Sequence, residues 1–164
     1  MEQWFHKEAS FKESVFLIIV MLAAAYWYIF CIGTAFPGLA DHLSKTPIGI
    51  TIAAPSTPLF ILVAAFFEEL IFRFPLSIPV RRGLSVPVIM IFVAVFSIIF
   101  GLLHGTWANI FMQGVVGALF SVVYLKCGGM SGNYPKALAA STVIHFLYNM
   151  IALGLAYIAG ATAI

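Results

Sequence analysis

Residues 66–74 have the sequence FFEELIFRF, in which two adjacent carboxylates and one guanidinium are surrounded by apolar side chains. Glu68 and Glu69 are followed one helical turn later by Arg73. A charged side chain at the centre of a bilayer costs roughly 2.5–3.5 kcal/mol on insertion scales, so three of them in one apolar segment require a compensating role. The default interpretation of such intramembrane charges is a functional site.

The rest of the chain is apolar enough to lie in a membrane. Of its 164 residues, 63% are hydrophobic and only 9% are charged, whereas a soluble domain carries about 25% charged residues. This length suits one compact bundle and leaves no room for a second domain. The formal net charge of +2 comes from basic residues scattered at the ends of apolar segments. The sequence therefore predicts contact with the lipid bilayer and no nucleic-acid partner.

Five apolar segments reach about 20 residues, the length that a spanning helix needs. They predict an all-α fold, a polytopic transmembrane helix bundle with about five spanning helices. Residues 1–14 precede the first predicted transmembrane helix, which covers 15–36. The other predicted spans cover about 58–78, 86–104, 108–125 and 135–158, with 48–56 as an extension of the second span or a re-entrant piece. Proline and glycine residues mark the breaks between the spans.

Basic residues are distributed unevenly between the two sides of the predicted bundle. Those on the side of the N-terminus are Lys7, Lys12, Arg81, Arg82, Lys126 and Lys136. The other side has Lys45. We expect the chain to be an integral protein of a bacterial inner (plasma) membrane, and Lys and Arg collect in the cytoplasmic loops of such proteins. Its N-terminal segment at 1–14 is predicted to be cytoplasmic and its C-terminus to lie outside.

The two glutamates differ in the partners that their own helix offers. Glu69 and Arg73 are four residues apart, with the acid first, which is the favourable order for an ion pair on a helix. Glu68 points about 100° away and finds Ile71 and Phe72 at the positions where a partner would be. An unpaired carboxylate in such surroundings is a candidate general base. The alternative is a structural ion pair, with Glu68 reaching a partner on another helix.

Two further polar pairs occupy the third and fifth predicted spans. Phe100 and His104 are four residues apart, although a histidine at a helix end is also typical of an interfacial or capping residue. His145 and Asn149 are four apart as well, and interhelical hydrogen bonding is their alternative role. Glu68 and His145 lie at matching depths of roughly 14 Å, whereas His104 lies roughly 25 Å along its helix. The third helix must therefore tilt, slide or begin beyond the headgroups.

Together these residues resemble the three motifs of one protein family. The order Glu-Glu-x-x-x-Arg, Phe-x-x-x-His and His-x-x-x-Asn, with a motif-free helix before the last motif, is similar to the CAAX-protease and bacteriocin-processing (CPBP, or Abi) family. These intramembrane endopeptidases include the Ras-converting CAAX prenyl protease. The resemblance covers about residues 59–150, within a predicted protease-like helical core at 48–159. It implies a conical polar cavity between the motif-bearing helices.

The resemblance implies hydrolysis of a peptide bond within the membrane. The substrate would be a membrane-anchored or lipidated protein or a leader peptide. Glu68 would activate the attacking water, and His104 would orient that water or relay its proton. His145 and Asn149 would donate hydrogen bonds to the developing oxyanion.

The remaining motif residues are implied to support this site. Glu69 and Arg73 would hold the first motif-bearing helix in place, and Phe100 would support the neighbouring histidine. A glutamate mechanism of this kind needs no cofactor, and pairing Glu69 with Arg73 removes one ligand from any metal site. The alternative cofactor is a divalent metal such as zinc, with Glu68, His104 and His145 as its ligands.

Three other functions fit parts of the sequence. The segment Gly129-Met130-Ser131-Gly132, with His145 after it, matches the Gly-x-Ser-Gly pattern of rhomboid-type serine proteases, but Ser131 falls in a turn and the glutamates stay unexplained. Haem bound between His104 and His145 would make the bundle an electron carrier, although the carboxylates would then serve no purpose. A non-catalytic membrane immunity or partner-binding protein would keep the polar cluster as a scaffold.

Overall fold

The described part of the chain is built from helices. The computed structural model describes residues 2–36 and 57–161, and it contains no strand within these two ranges. The helices are α1 (Glu2–His6), α2 (Phe11–Ala35), α3 (Thr57–Phe72), α4 (Ser77–Arg81), α5 (Val86–Leu103), α6 (Gln113–Tyr124) and α7 (Tyr134–Ala161). Short helical turns lie at Phe74–Leu76, Trp107–Ile110 and Leu125–Gly129. The predicted all-α polytopic bundle is confirmed.

Four helical segments are long and apolar enough to cross a membrane, as expected of an integral membrane protein. They are Phe11–Ala35, Val86–Leu103, Trp107–Gly129 and Tyr134–Ile158. The second predicted span corresponds to α3, which has 16 residues and is therefore about 24 Å long at 1.5 Å per residue. Within the described ranges, four of the five predicted spans thus have the required length, and α3 is shorter. Lys45 and the predicted piece at 48–56 lie outside the described residues.

The ends of the helices follow from local sequence. Before α2, the Ser10 hydroxyl accepts a hydrogen bond from the Glu13 N–H, and the Glu13 carboxylate accepts one from the Ser10 N–H. This reciprocal capping box satisfies two donors that a helix start leaves free. α3 ends at Phe72 because Pro75 disfavours helical backbone before it and brings no N–H. α5 has Pro87 in its first turn, where the missing N–H costs nothing.

α6 is the central helix of the bundle. It packs against α2, α5 and α7, while α3 packs mainly against α7. A Cβ on Gly114 would lie 2.9 Å from the Ser97 carbonyl oxygen, and one on Gly117 would lie 2.7 Å from a nitrogen of Arg73. Small residues at such positions let membrane helices approach closely. The helix without a motif therefore packs against the motif-bearing helices α5 and α7, and it contacts the first motif through Arg73.

Residues 4–10 fold against the turn at 126–136, and we call these two segments together the N-terminal contact. Lys126 is buried there, and its ammonium donates hydrogen bonds to the carbonyl oxygens of Trp4 and Lys7. The same ammonium lies 4.5 Å from the centroid of the Trp4 ring, within range of a cation–π attraction. The buried charge of Lys126 is therefore well compensated.

A second basic residue of the N-terminal contact pairs with a carboxylate. Lys136 Nζ lies 2.8 Å from one oxygen of Glu8, and the other oxygen accepts a hydrogen bond from Ser131 at 2.5 Å. The hydrogen bond from Lys136, followed by that from Ser131, lowers the pKa of Glu8. Close by, the guanidinium of Arg81 lies 4.5 Å from the centroid of the Tyr134 ring. Basic residues from the end of α4 and from the turn at 126–136 thus lie at one end of the bundle.

Candidate active site

The two glutamates of α3 have different surroundings. The Glu69 side chain is 0% exposed, and its Oε2 lies 3.4 Å from Arg73 Nε. The two charges pair across one helical turn, as their spacing favours. The Glu68 side chain, by contrast, is 35% exposed. One carboxylate is therefore enclosed within the bundle, and its neighbour is partly exposed.

The guanidinium of Arg73 is buried among aromatic rings. Its Nη2 donates to the Gly117 carbonyl of α6 at 3.1 Å. Its central carbon lies 4.4 Å from the Phe100 ring centroid and 5.8 Å from those of Phe72 and Phe120. Ring faces attract a cation and replace part of its lost hydration. Nε and Nη1 of Arg73 have no hydrogen-bond partner among the described residues, so this charge is held mostly by electrostatic attraction.

His145 connects the enclosed carboxylate to the open one. Its Nδ1 lies 2.9 Å from Glu69 Oε1, and its Nε2 lies 3.6 Å from Glu68 Oε2. Since an ionised carboxylate only accepts hydrogen bonds, Nδ1–H is the donor. The imidazole stacks on the ring of Phe120, with centroids 4.9 Å apart and planes at 34°. Glu69 and Phe120 together fix the orientation of this ring.

His104 reaches the same place from the end of α5. Its Nδ1 donates to the Phe100 carbonyl oxygen at 2.7 Å, and its Nε2 lies 4.0 Å from Glu68 Oε2. The imidazole therefore folds back along its own helix, against the Phe100 ring at a centroid distance of 4.4 Å. One turn of helix is about 5 Å, and this accounts for part of the difference in depth that the sequence predicted between His104 and the other site residues.

Three hydrogen-bond acceptors consequently converge on one point. Because both Nδ1 atoms donate, each neutral imidazole presents Nε2 as an acceptor, and both Nε2 atoms face Glu68 Oε2. That oxygen has no hydrogen-bond partner in the part of the chain that the structure describes. Three lone pairs facing each other attract a donor or a cation: a water molecule, a proton or a metal ion. His104, His145 and Glu68 thus form a site that is complete only with such a species.

Two histidine nitrogens and a carboxylate oxygen are ligands that zinc prefers, but these three atoms are further apart than the ligands of a zinc site. Histidine ligands usually donate their second N–H to a carboxylate or a carbonyl, as His145 does to Glu69 and His104 does to Phe100. Ligand atoms about 2.0–2.1 Å from a tetrahedral zinc are about 3.3 Å apart, whereas Glu68 Oε2 is 3.6 and 4.0 Å from the two Nε2 atoms. Within the described ranges, no group of three or more His, Cys, Asp or Glu is arranged to hold a metal ion.

Asn149 stands apart from the other three predicted catalytic residues. It lies one turn beyond His145 on α7 and is half-buried. Its side chain has no hydrogen-bond partner among the described residues. The structure therefore brings Glu68, His104 and His145 together, and it shows no hydrogen bond from the Asn149 amide to the described residues.

Three residues around the site gave no functional signal in the sequence. Phe120 stacks on an imidazole, Gly117 accepts a hydrogen bond from a guanidinium, and Asn109 donates one to the His104 carbonyl. Two of them belong to α6, the helix without a motif. Small residues such as Gly114 and Gly117 do favour close helix packing. They do not indicate which polar group of another helix approaches there.

The serine of the Gly-x-Ser-Gly segment lies in a different part of the molecule. Ser131 belongs to the N-terminal contact, where its hydroxyl is 2.5 Å from a Glu8 oxygen and 3.1 Å from the Gly128 carbonyl oxygen. His145 lies about 17 Å along α7 from Tyr134, the first residue of that helix. The hydroxyl of Ser131 is thus hydrogen-bonded to Glu8 and not to His145, so a serine–histidine pair of the rhomboid type does not form.

Comparison with known families connects this geometry to one of them. Residues 50–151 match the family described as type II CAAX prenyl endopeptidase Rce1-like. The match spans more than half of the 164 residues and contains all three polar motifs. Neither the curated proteins nor the solved structures yield a match. The matched range includes Glu68, Glu69, Arg73, His104 and His145, which we together call the polar cluster.

Proposed function

This chain belongs to the type II CAAX prenyl endopeptidase Rce1-like family, and we propose that it cleaves a membrane-anchored protein with a water molecule activated by Glu68. Membership identifies an endopeptidase of the CAAX type, while the mechanism and the substrate are our proposal. One observation carries the mechanism: Glu68 Oε2 faces the Nε2 atoms of both His104 and His145. The side chains of Glu68 and His104 are 35% and 34% exposed, so a substrate can approach the cluster, while Glu68 Oε2 itself is buried and faces the imidazoles.

Glu68 acts as the general base in this proposal. A water molecule beside Glu68 and His104 donates one hydrogen to each of them, and its oxygen attacks the substrate carbonyl carbon. Glu68 takes one proton as the carbon–oxygen bond forms, and it delivers that proton to the nitrogen as the carbon–nitrogen bond breaks. His104 accepts the second hydrogen bond of the water. Its role is to keep the attacking oxygen in line with the carbonyl carbon.

His145 and Asn149 are the proposed donors to the oxyanion. With Nδ1 donating to Glu69, His145 offers an Nε2–H only as an imidazolium, and the adjacent carboxylate of Glu69 compensates that charge. Asn149 offers an amide N–H one turn further along the same helix. Removal of one oxyanion donor typically lowers the rate by roughly 10²–10³-fold. Glu69 itself acts through His145, because it is enclosed and has no access to the substrate.

The proposed substrate is a membrane-anchored or lipidated protein, for which a prenylated C-terminal tail is the first candidate. This choice rests on the family, whose description names CAAX prenyl endopeptidases. A leader peptide and a membrane-anchored sorting tail are the other substrates that would suit such a site. We further propose a bacterial inner-membrane location. The N-terminus is proposed to lie in the cytoplasm, because the basic residues of the N-terminal contact lie at one end of the bundle. The test is to fuse to the N-terminus a reporter enzyme that works only outside the cytoplasm. Activity of the reporter in this fusion would contradict the proposed orientation.

The test compares purified wild-type protein with Glu68→Gln and Glu8→Gln in detergent. Glu8→Gln is the matched control, since it makes the same chemical change at a carboxylate of the N-terminal contact. Each protein is incubated with a farnesylated CAAX peptide, a leader peptide and a sorting-tail peptide, with and without a chelator. We expect cleavage by wild type and Glu8→Gln, and a loss of roughly 10²–10⁴-fold in Glu68→Gln.

Cleavage in the presence of a chelator distinguishes a metal-free mechanism from a metal-dependent one. Cleavage that survives the chelator supports water activation by Glu68 alone. Loss of cleavage, restored by zinc, would make Glu68, His104 and His145 the metal ligands, and the metal would supply Lewis-acid activation of the water. Full activity in Glu68→Gln would remove Glu68 from the mechanism. Failure of wild type to cleave any of the three peptides would favour the non-catalytic partner-binding alternative.

A further inference from the structure

Asn109 is a buried polar residue beside His104 that the proposed mechanism does not use. Its side chain is 3% exposed and lies in the short turn at Trp107–Ile110. Nδ2 donates to the His104 carbonyl oxygen at 2.7 Å and lies 3.5 Å from Thr106 Oγ1. The main-chain N–H of Asn109 donates to the Thr106 carbonyl at 3.0 Å. Both its main chain and its side chain are thus bound within the turn that follows His104.

The end of α5 is arranged so that His104 is anchored twice. The His104 N–H donates to the Gly101 carbonyl, three residues back, at 3.1 Å. The Phe100 carbonyl, which the regular four-residue pattern would have used, accepts the His104 ring Nδ1 instead. The ring is therefore fixed by Phe100, and the main chain is fixed by the amide of Asn109. Between these two anchors, Nε2 is left facing Glu68.

Close packing keeps the turn in one position against α5. A Cβ on Gly101 would lie 2.6 Å from the Asn109 carbonyl oxygen and 2.7 Å from the Ile110 Cα, so only glycine allows this approach. Gly105 has a φ of +115°, a conformation that residues with a Cβ rarely adopt. The side chain of Asn109 therefore has a defined place relative to the His104 carbonyl.

We propose that Asn109 is a positioning residue for His104. Its amide holds the His104 carbonyl, and thereby directs the imidazole Nε2 towards Glu68 Oε2. The inference rests on the proposed function, since it requires that His104 takes part in the reaction. Misplacement of a reacting group by about 1 Å can lower the rate by about 10²-fold. Asn109 therefore contributes to the reaction without touching the substrate.

The experiment measures kcat and KM for Asn109→Ala and Asn109→Asp in the cleavage assay, with Asn133→Ala as the matched control. Asn133 is an exposed asparagine of the N-terminal contact, bonded to Glu8 at 3.2 Å. Asn109→Asp keeps the shape of the side chain but removes the N–H that the His104 carbonyl accepts. We expect both Asn109 variants to lose roughly 10–10²-fold in kcat with KM within about twofold of wild type. Asn133→Ala should retain wild-type values.

A double-mutant cycle with His104→Ala distinguishes positioning from a general structural role. If Asn109 acts through His104, Asn109→Ala should cause no further loss in the His104→Ala background under single-turnover conditions. Losses that multiply would overturn the inference, and so would wild-type kcat in both Asn109 variants. Failure of both variants to fold would also overturn it, because Asn109 would then be a folding residue. Wild-type activity in His104→Ala would instead contradict the proposed role of His104 itself, whatever Asn109 does.

Discussion

The polar cluster of α3, α5 and α7 and the N-terminal contact both hold charges inside the protein, and they hold them in opposite ways. In the N-terminal contact, the Lys126 ammonium is bound by two carbonyl oxygens, and Lys136 is bound by a carboxylate and a carbonyl oxygen. In the polar cluster, Glu68 Oε2, Glu69 Oε2 and two nitrogens of Arg73 are buried without a hydrogen-bond partner among the described residues.

This difference separates charges that serve the fold from charges that are available for a reaction. Folded proteins satisfy nearly all of their buried polar groups, because each unsatisfied one costs roughly 1–3 kcal/mol. Natural sequences break this rule mainly at functional sites. We therefore expect changes in the polar cluster to alter activity as well as stability, and changes in the N-terminal contact to alter stability alone and only slightly.

The largest effect on stability is expected from Glu69→Gln. The change leaves Arg73, which is 1% exposed, without its counter-ion, and it removes the carboxylate that binds His145. Removing one partner of a buried ion pair costs roughly 3–5 kcal/mol. Thermal unfolding in detergent should occur at a clearly lower temperature, and cleavage should be lost. Glu68→Gln is the control, because it should lose cleavage and keep the wild-type melting temperature.

A smaller effect is expected from Gly117→Ala. The added Cβ would lie 2.7 Å from Arg73 Nη2 and 2.9 Å from Phe100 Cδ1, and both neighbours are themselves buried. Overpacking of this kind costs roughly 1–3 kcal/mol. Gly154→Ala is the matched control, since its Cβ would meet nothing within 4 Å. If both variants have the same melting temperature and the same cleavage rate, α6 does not have the central role that we assign to it.

The smallest effect is expected from Glu8→Gln, in the N-terminal contact. Partly exposed ion pairs contribute about 0–1 kcal/mol, and the Glu8 and Lys136 side chains are 30% and 33% exposed. The Lys136 hydrogen bond lowers the pKa of Glu8 below its ordinary value of 4.5. A carboxylate with a lowered pKa stabilises the fold at pH values above its ordinary pKa. This stabilisation is lost as the pH falls through the lowered pKa. The difference in melting temperature from wild type should therefore be present at neutral pH and disappear in acid. A difference that persists in acid would exclude this ion pair as its cause.

The fold was predictable because its main determinant is composition. Long apolar runs with proline and glycine between them predict a helical membrane bundle, and the structure confirms it. The length of α3 was overestimated because apolar residues continue past its end. Pro75 ends the regular helix at Phe72, and the chain goes on as two short helical pieces.

The sequence predicted which residues belong to the polar cluster, but not which of them contact each other across helices. Spacing on one helix was sufficient to pair Glu69 with Arg73, because that interaction is local. The hydrogen bond from His145 to Glu69 and the anchoring of His104 by Asn109 join residues whose approach depends on how helices tilt and rotate and on how a turn folds back. The tilt and rotation of the helices and the path of the turn depend on packing across the whole bundle. The spacing of residues along the sequence gives no information on that packing.

The N-terminal contact has a consequence for how the protein is made. Trp4 binds Lys126 across 122 positions of sequence, and Glu8 binds Lys136 across 128. A ribosome releases the N-terminal residues first, so they have no partner until the turn between α6 and α7 has been synthesised. Closing so long a loop also carries a large entropic cost, which the other helix contacts reduce by assembling beforehand. Binding of the N-terminal segment thus becomes possible only after α6 has been made, and a chain that stalls before that point leaves this segment exposed to proteases.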